Sequence, residues 1–271
     1  MEYKTYKLGT CFSLIENGAI IKQRKEAKGF PITRIETLSH GKFNRDKLGH
    51  ADIFDTTPYK RYILEDKDLI MSHINSRAFL GRTVLYRKKG NEQIIHGMNV
   101  LRIKTNEQFL DPVFASYLFK TSHFKKAIDS IRKDAINQSS INIFDICNIQ
   151  ISLPSITEQR KISHALQLID KKIETNHLIN DDWQPFLFNS LKLYNLSKNK
   201  GGSSQPLITH EALKHLYFPM SEKHINQFCH IVNELQDLIY SNQQEILKLT
   251  KQRDELLPLL MNGQATVNYH L

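Results

Sequence analysis

Ten positions late in the chain, Ile225, Phe228, Val232, Leu235, Ile239, Asn242, Ile246, Leu249, Arg253 and Leu256, are separated by alternating steps of three and four residues. That spacing is the a/d pattern of a coiled-coil helix. Thirty-odd helical residues at about 1.5 Å each make a rod roughly 50 Å long. A rod with a single apolar seam needs a partner helix, and a matching stripe lies upstream. Ile162, Leu166, Ile169, Ile173, Asn176 and Asn180, shifted by 66 residues, fall on Phe228, Val232, Leu235, Ile239, Asn242 and Ile246. The seam asparagine recurs, Asn176 on Asn242, and a buried seam Asn fixes register at some cost in stability. The echo extends further, since SINIFDICNIQISLPS (140–155) resembles LITHEALKHLYFPMS (207–221). The chain therefore holds an internal repeat, and the two rods are expected to return on each other as an antiparallel pair. The first rod is predicted over 156–182, opened by a Ser155/Glu158 capping box and ended near Asp181, Asp182, Trp183 and Pro185. The second is predicted to stop at Pro258, with Gly263 just beyond it.

Charge divides the chain in the same place. Residues 1–153 hold 25 Lys and Arg against 16 Asp and Glu, whereas residues 154–271 hold 12 of each, so the whole net charge of +9 lies in the first part. Positive charge confined to one domain points to a polyanionic partner, most simply nucleic acid. With no run of 18 apolar residues and a polar opening (MEYKTYKLGTCFSL), the sequence predicts a cytoplasmic protein without a membrane partner. Cys11, Cys147 and Cys229 are far apart and read as buried free thiols.

Residues 1–154 read as one mixed domain. FPITRIETL (30–38), KDLIMSHI (67–74), RTVLYRK (82–88) and EQIIHGMNVLRIK (92–104) are predicted strands, the last with a bulge at Gly97. NSRAFLG (75–81) is a loop, and DPVFASYLFKTSHFKKAIDSI (111–131) is predicted as one helix. A polar loop, a short helix and a last strand close the domain at 132–154. The fold class expected is therefore α+β: one mixed α/β domain followed by two long helices forming an antiparallel coiled coil. The divisions are 1–154, the first helix 155–195, a linker with the remnant of a second repeat 196–222, and the second helix with its tail 223–271.

Several of these stretches resemble the specificity (S) subunits of type I restriction–modification systems. FPITRIETL is similar to the opening strand of their target recognition domains, and GMNVLRIK followed by LDPVFASYLFKT to the sheet and helix after it. QSSINIFDICNIQISLPSITEQRKISHALQLIDKKIETNHLIN resembles the close of that domain and the start of its spacer, and QEILKLTKQRDELLPLLMNGQATV the usual C-terminal ending. The resemblance implies a DNA-recognition subunit without catalytic residues of its own, working with double-stranded DNA, methyltransferase (M) subunits and a restriction (R) subunit. S-adenosylmethionine, ATP and Mg would be bound by those partners and no cofactor by this chain. Family members carry two recognition domains, one per half of a split DNA site, at opposite ends of the spacer. Here only about 40 residues separate the rods, so the chain resembles a half-length member with one recognition domain. Two copies in a homodimer would then supply two readers for a symmetric site.

Base reading needs donors and acceptors aimed at base edges, with Arg suited to guanine and Asn or Gln to adenine; phosphates take Lys, Arg and small polar groups. SHINSRAFLGR (72–82) offers Ser72, His73, Asn75, Ser76, Arg77 and Arg82. IIHGMN (94–99) adds His96 and Asn99, and RKDAINQSS (132–140) adds Arg132, Lys133, Asn137, Gln138 and Ser139. Lys22, Arg24, Lys25 and Lys28 in IKQRKEAKG (21–29) suit phosphates, a pattern that a solvated charge run shares, and Arg34 is a further candidate DNA contact. No methyltransferase motif, Walker loop, dinucleotide fingerprint or metal-ligand spacing is found. The alternatives are a stand-alone DNA-binding regulator or coiled-coil scaffold without enzyme partners, and a nuclease, for which EDKD (65–68) is the only dense acidic run.

Overall fold

The chain opens with strands β1 (Lys4–Lys7), β2 (Phe12–Asn17), β3 (Gln23–Arg24), β4 (Pro31–Ile32) and β5 (Gly49–Ala51). There follow β6 (Leu69–Ser72), β7 (Ile74–Asn75), β8 (Thr83–Leu85) and β9 (Val100–Thr105). Helices α1 (Pro112–Leu118) and α2 (Ser122–Ile131) precede β10 (Lys133–Asp134), β11 (Ser139–Ser140), helix α3 (Ile143–Asn148) and β12 (Gln150–Leu153). Two long helices complete the order, α4 (Ile156–Lys192) and α5 (Glu222–Met261). The structure, a computed structural model, describes residues 2–24, 29–135, 138–192 and 222–267. It divides into Met1–Leu166 with Leu256–Leu271, and Gln167–Glu255.

In the first unit the principal sheet is antiparallel, in the order β2-β9-β6-β8. Its central strands are buried on both faces, and the two-residue period of a strand sorts their side chains between two cores. Leu69, Met71, Leu101 and Ile103 face a core built from α1, α2, α3, the first turns of α4 and the last turn of α5. Ile70, Val84 and Val100 face a second core with Leu38, Leu64, Tyr86 and Ile94. Arg102 lies on the second face and is almost wholly buried. Its guanidinium donates to the Asp68 carboxylate at 2.7 Å, to the Arg61 carbonyl at 2.7 Å and to Glu65 at 3.2 Å. A buried cation is tolerable only when its donors are taken up in this way. Burial holds the Asp68 carboxyl above the ordinary carboxylate range, outweighing the pull of Arg102 and the Glu65 amide.

Three predicted elements break for reasons local to the backbone. The 30–38 strand shrinks to β4, because the Thr37 hydroxyl accepts from the Arg34 amide at 2.9 Å and turns Ile35–Gly41 into a 3-10 helix. The 92–104 strand starts only at Val100, because Asn99 adopts a left-handed φ of 72°. The 111–131 helix splits at Thr121, whose hydroxyl donates to the Leu118 carbonyl at 2.7 Å and accepts from the Phe124 amide at 3.2 Å. Of the predicted capping box on α4, Ser155 Oγ accepts from the Glu158 amide at 3.3 Å. Beside it Gln159 is buried. It accepts from the Asp111 amide at 3.0 Å and donates to the Phe109 and Pro154 carbonyls at 2.8 and 3.0 Å, tying the start of α4 to the start of α1. The second rod passes Pro258 and ends at Met261, because Leu260 and Met261 insert into the first core; Gly263, at a φ of 70°, then terminates it.

The second unit is the pair of rods. Asp170 accepts from Arg253 at 2.9 Å, Glu245 from Asn176 at 2.8 Å, and Asn180 from Asn242 at 3.2 Å. Partner numbers rise on one helix as they fall on the other, so the pair is antiparallel. The two repeat-related asparagines do not meet: Asn176 finds Glu245, and Asn242 finds Asn180, one turn along. Ile169, Ile173, Leu235, Ile239, Ile246 and Leu249 are partly buried along the seam. The first rod runs to Lys192, ten residues past the expected end of its seam at 182 and inside the 155–195 division. Phe228 and Val232 belong to α5, but their side chains lie outside the described residues, as do residues 193–221 of the linker.

Replacing Gln159 by Ala removes its bonds to two buried backbone groups and one half-buried one, and urea unfolding should show a loss of about 2–3 kcal/mol. Gln159→Glu should recover little of it, since a carboxylate cannot donate to the two carbonyls.

Candidate nucleic-acid interface

Two of the polar segments, distant in sequence, become one surface. In the three-stranded sheet β10-β11-β7, Ser139 pairs with Asn75 and Ser140 with Ile74. The Ile141 amide continues the ladder by donating to the His73 carbonyl at 3.0 Å. This places 72–82 beside 132–140. Ser76, Arg77, Lys133 and Gln138 are exposed there.

Other members of the predicted set hold the surface together. Arg132 donates to Asp134 at 2.6 and 3.1 Å and to Asp129 at 2.6 Å, so its planar fork is occupied by carboxylates. Arg132, with the Ser139 hydroxyl bonded to the same group at 2.6 Å, holds the Asp134 carboxyl down at about 2. Buried Ser72 donates its hydroxyl to the Phe79 carbonyl at 2.9 Å and accepts from Asn75 at 3.3 Å. These bonds shape the 76–81 turn. Arg82 stacks on the Phe79 ring at 4.3 Å and donates to the Leu38 carbonyl at 3.3 Å.

The histidines lie deeper. His96 is fully buried, with Nε2 against the Val100 carbonyl at 2.7 Å and Nδ1 without a partner among the described residues. An imidazole so enclosed reaches no base edge. Burial lowers its pKa to about 4. His73 is also buried and lowered by burial, while its hydrogen bond to the Asn99 backbone pulls the other way. That bond joins the 96–99 segment to the residue between β6 and β7. Lys22 and Arg34 are exposed around the small sheet β3-β5-β4. Lys25, Lys28, Asn137 and the side chain of Arg24 lie outside the described residues. Sequence reading missed the Arg102 cluster and Gln159. The polar Arg102 inside an apolar strand was the available signal for the former.

Fold and surface define a mixed α/β domain with a basic, polar-edged sheet, continued by an antiparallel two-helix spacer. A sequence model of the Type I restriction modification DNA specificity domain matches residues 1–182. A curated relative, the specificity subunit of type I restriction enzyme MjaX from Methanocaldococcus jannaschii, is 33% identical over 221 residues, 82% of this chain and 49% of the relative. The chain belongs to the type I restriction–modification specificity family. It spans about half the length of that curated relative. Solved structures resemble it more distantly. The S subunit from M. genitalium is 17% identical, with a TM-score of 0.45 over 72% of this chain and 49% of the other. The HsdS subunit from Thermoanaerobacter tengcongensis is 16% identical, with a TM-score of 0.43 over 76% and 51%. No described helix is long and apolar enough to cross a membrane.

The folded pKa of His96 lies below its unfolded value of about 6.5, so the stability it contributes is complete above that pH and is lost as pH falls toward about 4. Unfolding free energy should drop by about 3 kcal/mol across this window. His96→Gln should be less stable at pH 7 but should flatten that limb; an unchanged slope would assign it to other groups.

Proposed function

We propose that this chain is the DNA-recognition subunit of a type I restriction–modification complex. The observation that carries the reading is the match of residues 1–182 to a DNA specificity domain. It is supported by the convergence of 72–82 and 132–140 on one polar edge of a part of the chain that holds the entire positive excess. In this reading residues 1–154 bind duplex DNA. Arg77, Gln138 and Ser76 are the candidates for base edges, and Lys133, Lys22 and Arg34 for phosphates. The chain performs no bond-making step. Methyltransferase subunits carrying S-adenosylmethionine methylate adenine, and a restriction subunit uses ATP and Mg, all in the cytoplasm. The paired helices set the distance between readers. One chain supplies one half-site, and a homodimer brings two copies of the same reader to a symmetric split site.

Methylation mapping in cells expressing the chain with its methyltransferase tests this. A split adenine motif is expected, palindromic if two copies act and one-sided if a single reader acts. No new methylation would favour a stand-alone regulator. In binding assays on the mapped site, Arg77→Ala should cost about 1–3 kcal/mol and relax specificity at one position. Lys133→Ala should weaken all sequences alike and reduce the salt slope by about 1.

A further inference from the structure

Ile20 is 86% exposed and Met98 is 41% exposed. Single exposed apolar side chains are ordinary. This pair differs in how it is mounted. Ala19 and Gly97 form an isolated parallel bridge, and Ile20 and Met98 are the next residues on the two bridged segments. The Ala19 amide donates to the His96 carbonyl at 2.8 Å, and the Met98 amide to the Ala19 carbonyl at 3.1 Å. Behind the bridge two glycines allow backbone to lie on backbone. A Cβ on Gly18 would collide with the Gly97 carbonyl, and one on Gly97 with the Thr33 carbonyl. The Gly97 amide is also held by the buried Thr33 hydroxyl at 2.9 Å. The left-handed Asn99 closes the turn immediately after Met98.

The result is a rigid ridge carrying two apolar side chains. Exposed Lys22 stands two residues beyond Ile20, and exposed Arg34 follows Thr33. Exposed cations this close to the bridged segments suit a polyanion rather than an apolar protein surface. The ridge is also continuous with the candidate interface, since His73 bonds to the backbone of Asn99. Side chains of this kind, on positively charged proteins, enter the step between adjacent base pairs and kink the duplex.

We infer that Ile20 and Met98 form an apolar wedge that inserts at a base step of duplex DNA while Lys22 and Arg34 hold the flanking phosphates. The inference rests on the DNA-recognition reading above, and its test separates the two. The full chain is titrated onto a mixed-sequence 40-base-pair duplex labelled at both ends, at several salt concentrations, reading affinity and end-to-end energy transfer. The parent should bind and shorten the duplex. Ile20→Ala with Met98→Ala should bind about tenfold more weakly with an unchanged salt slope, and should leave the duplex straight. Ile20→Leu with Met98→Leu should restore both. Lys22→Ala should instead lower the salt slope by about 1. Equal thermal midpoints exclude misfolding, because neither side chain is buried. A double-alanine variant that binds and bends like the parent overturns the wedge, as does a parent that binds without bending; recognition then stands. A parent with no affinity for duplex overturns both.

Discussion

Val100 and Arg102 face one core while Leu101 and Ile103 face the other, and this alternation in β9 constrains everything that leaves the sheet. A strand buried on both sides cannot slip by one residue, because the slip would drive Arg102 into the larger apolar core. The register of β6 against β9 is thereby fixed, and with it the start of β7 and the turn at Met98 and Asn99. The exposed polar edge inherits its geometry from an apolar interior. Arg102 makes the constraint two-sided: its partners Asp68, Glu65 and the Arg61 carbonyl come from the segment before β6, so one cation pins a neighbouring loop as well as a strand.

Much of this was legible in the sequence, and the exceptions have local causes. The seam helices were readable because a three–four alternation over ten positions is hard to produce without a helix behind it. Their antiparallel pairing was readable too, but not which residues would meet, since repeat symmetry aligned Asn176 with Asn242 whereas geometry gives each a different partner. Thr37 and Thr121 broke predicted elements by local backbone capture and Asn99 by a left-handed φ, effects that hydrophobic periodicity does not register. At the interface, the polar stretches 72–82 and 132–140 were both visible, but their adjacency depends on the long-range pairing of β7 with β11. Composition could not separate Arg77, which is exposed, from Arg132, which is spoken for by two aspartates. Nor could it reveal that His73 and His96 are enclosed.

The distribution of charge and burial gives the proposed division of labour a physical form. Polar side chains on this surface fall into those that brace it and those that face outward. Arg132 and Ser139 are held by the Asp134 carboxylate and Ser72 by the Phe79 carbonyl, so the outward residues need not reorganise to meet a partner. Preorganised groups lose less freedom on binding. In the rods, polar contacts at Asp170–Arg253 and Asn180–Asn242 favour one alignment over its neighbours seven residues away, which apolar contacts alone would barely distinguish.

Gln159 has an additional consequence. The Asp111 amide hydrogen is satisfied by a side chain, not by any helix or sheet ladder. Its exchange with solvent deuterium should therefore follow excursions of a single glutamine rotamer, while amides inside α1 and α4 follow the fraying of their own turns. That one hydrogen is a natural gauge of how firmly the junction between them stays latched.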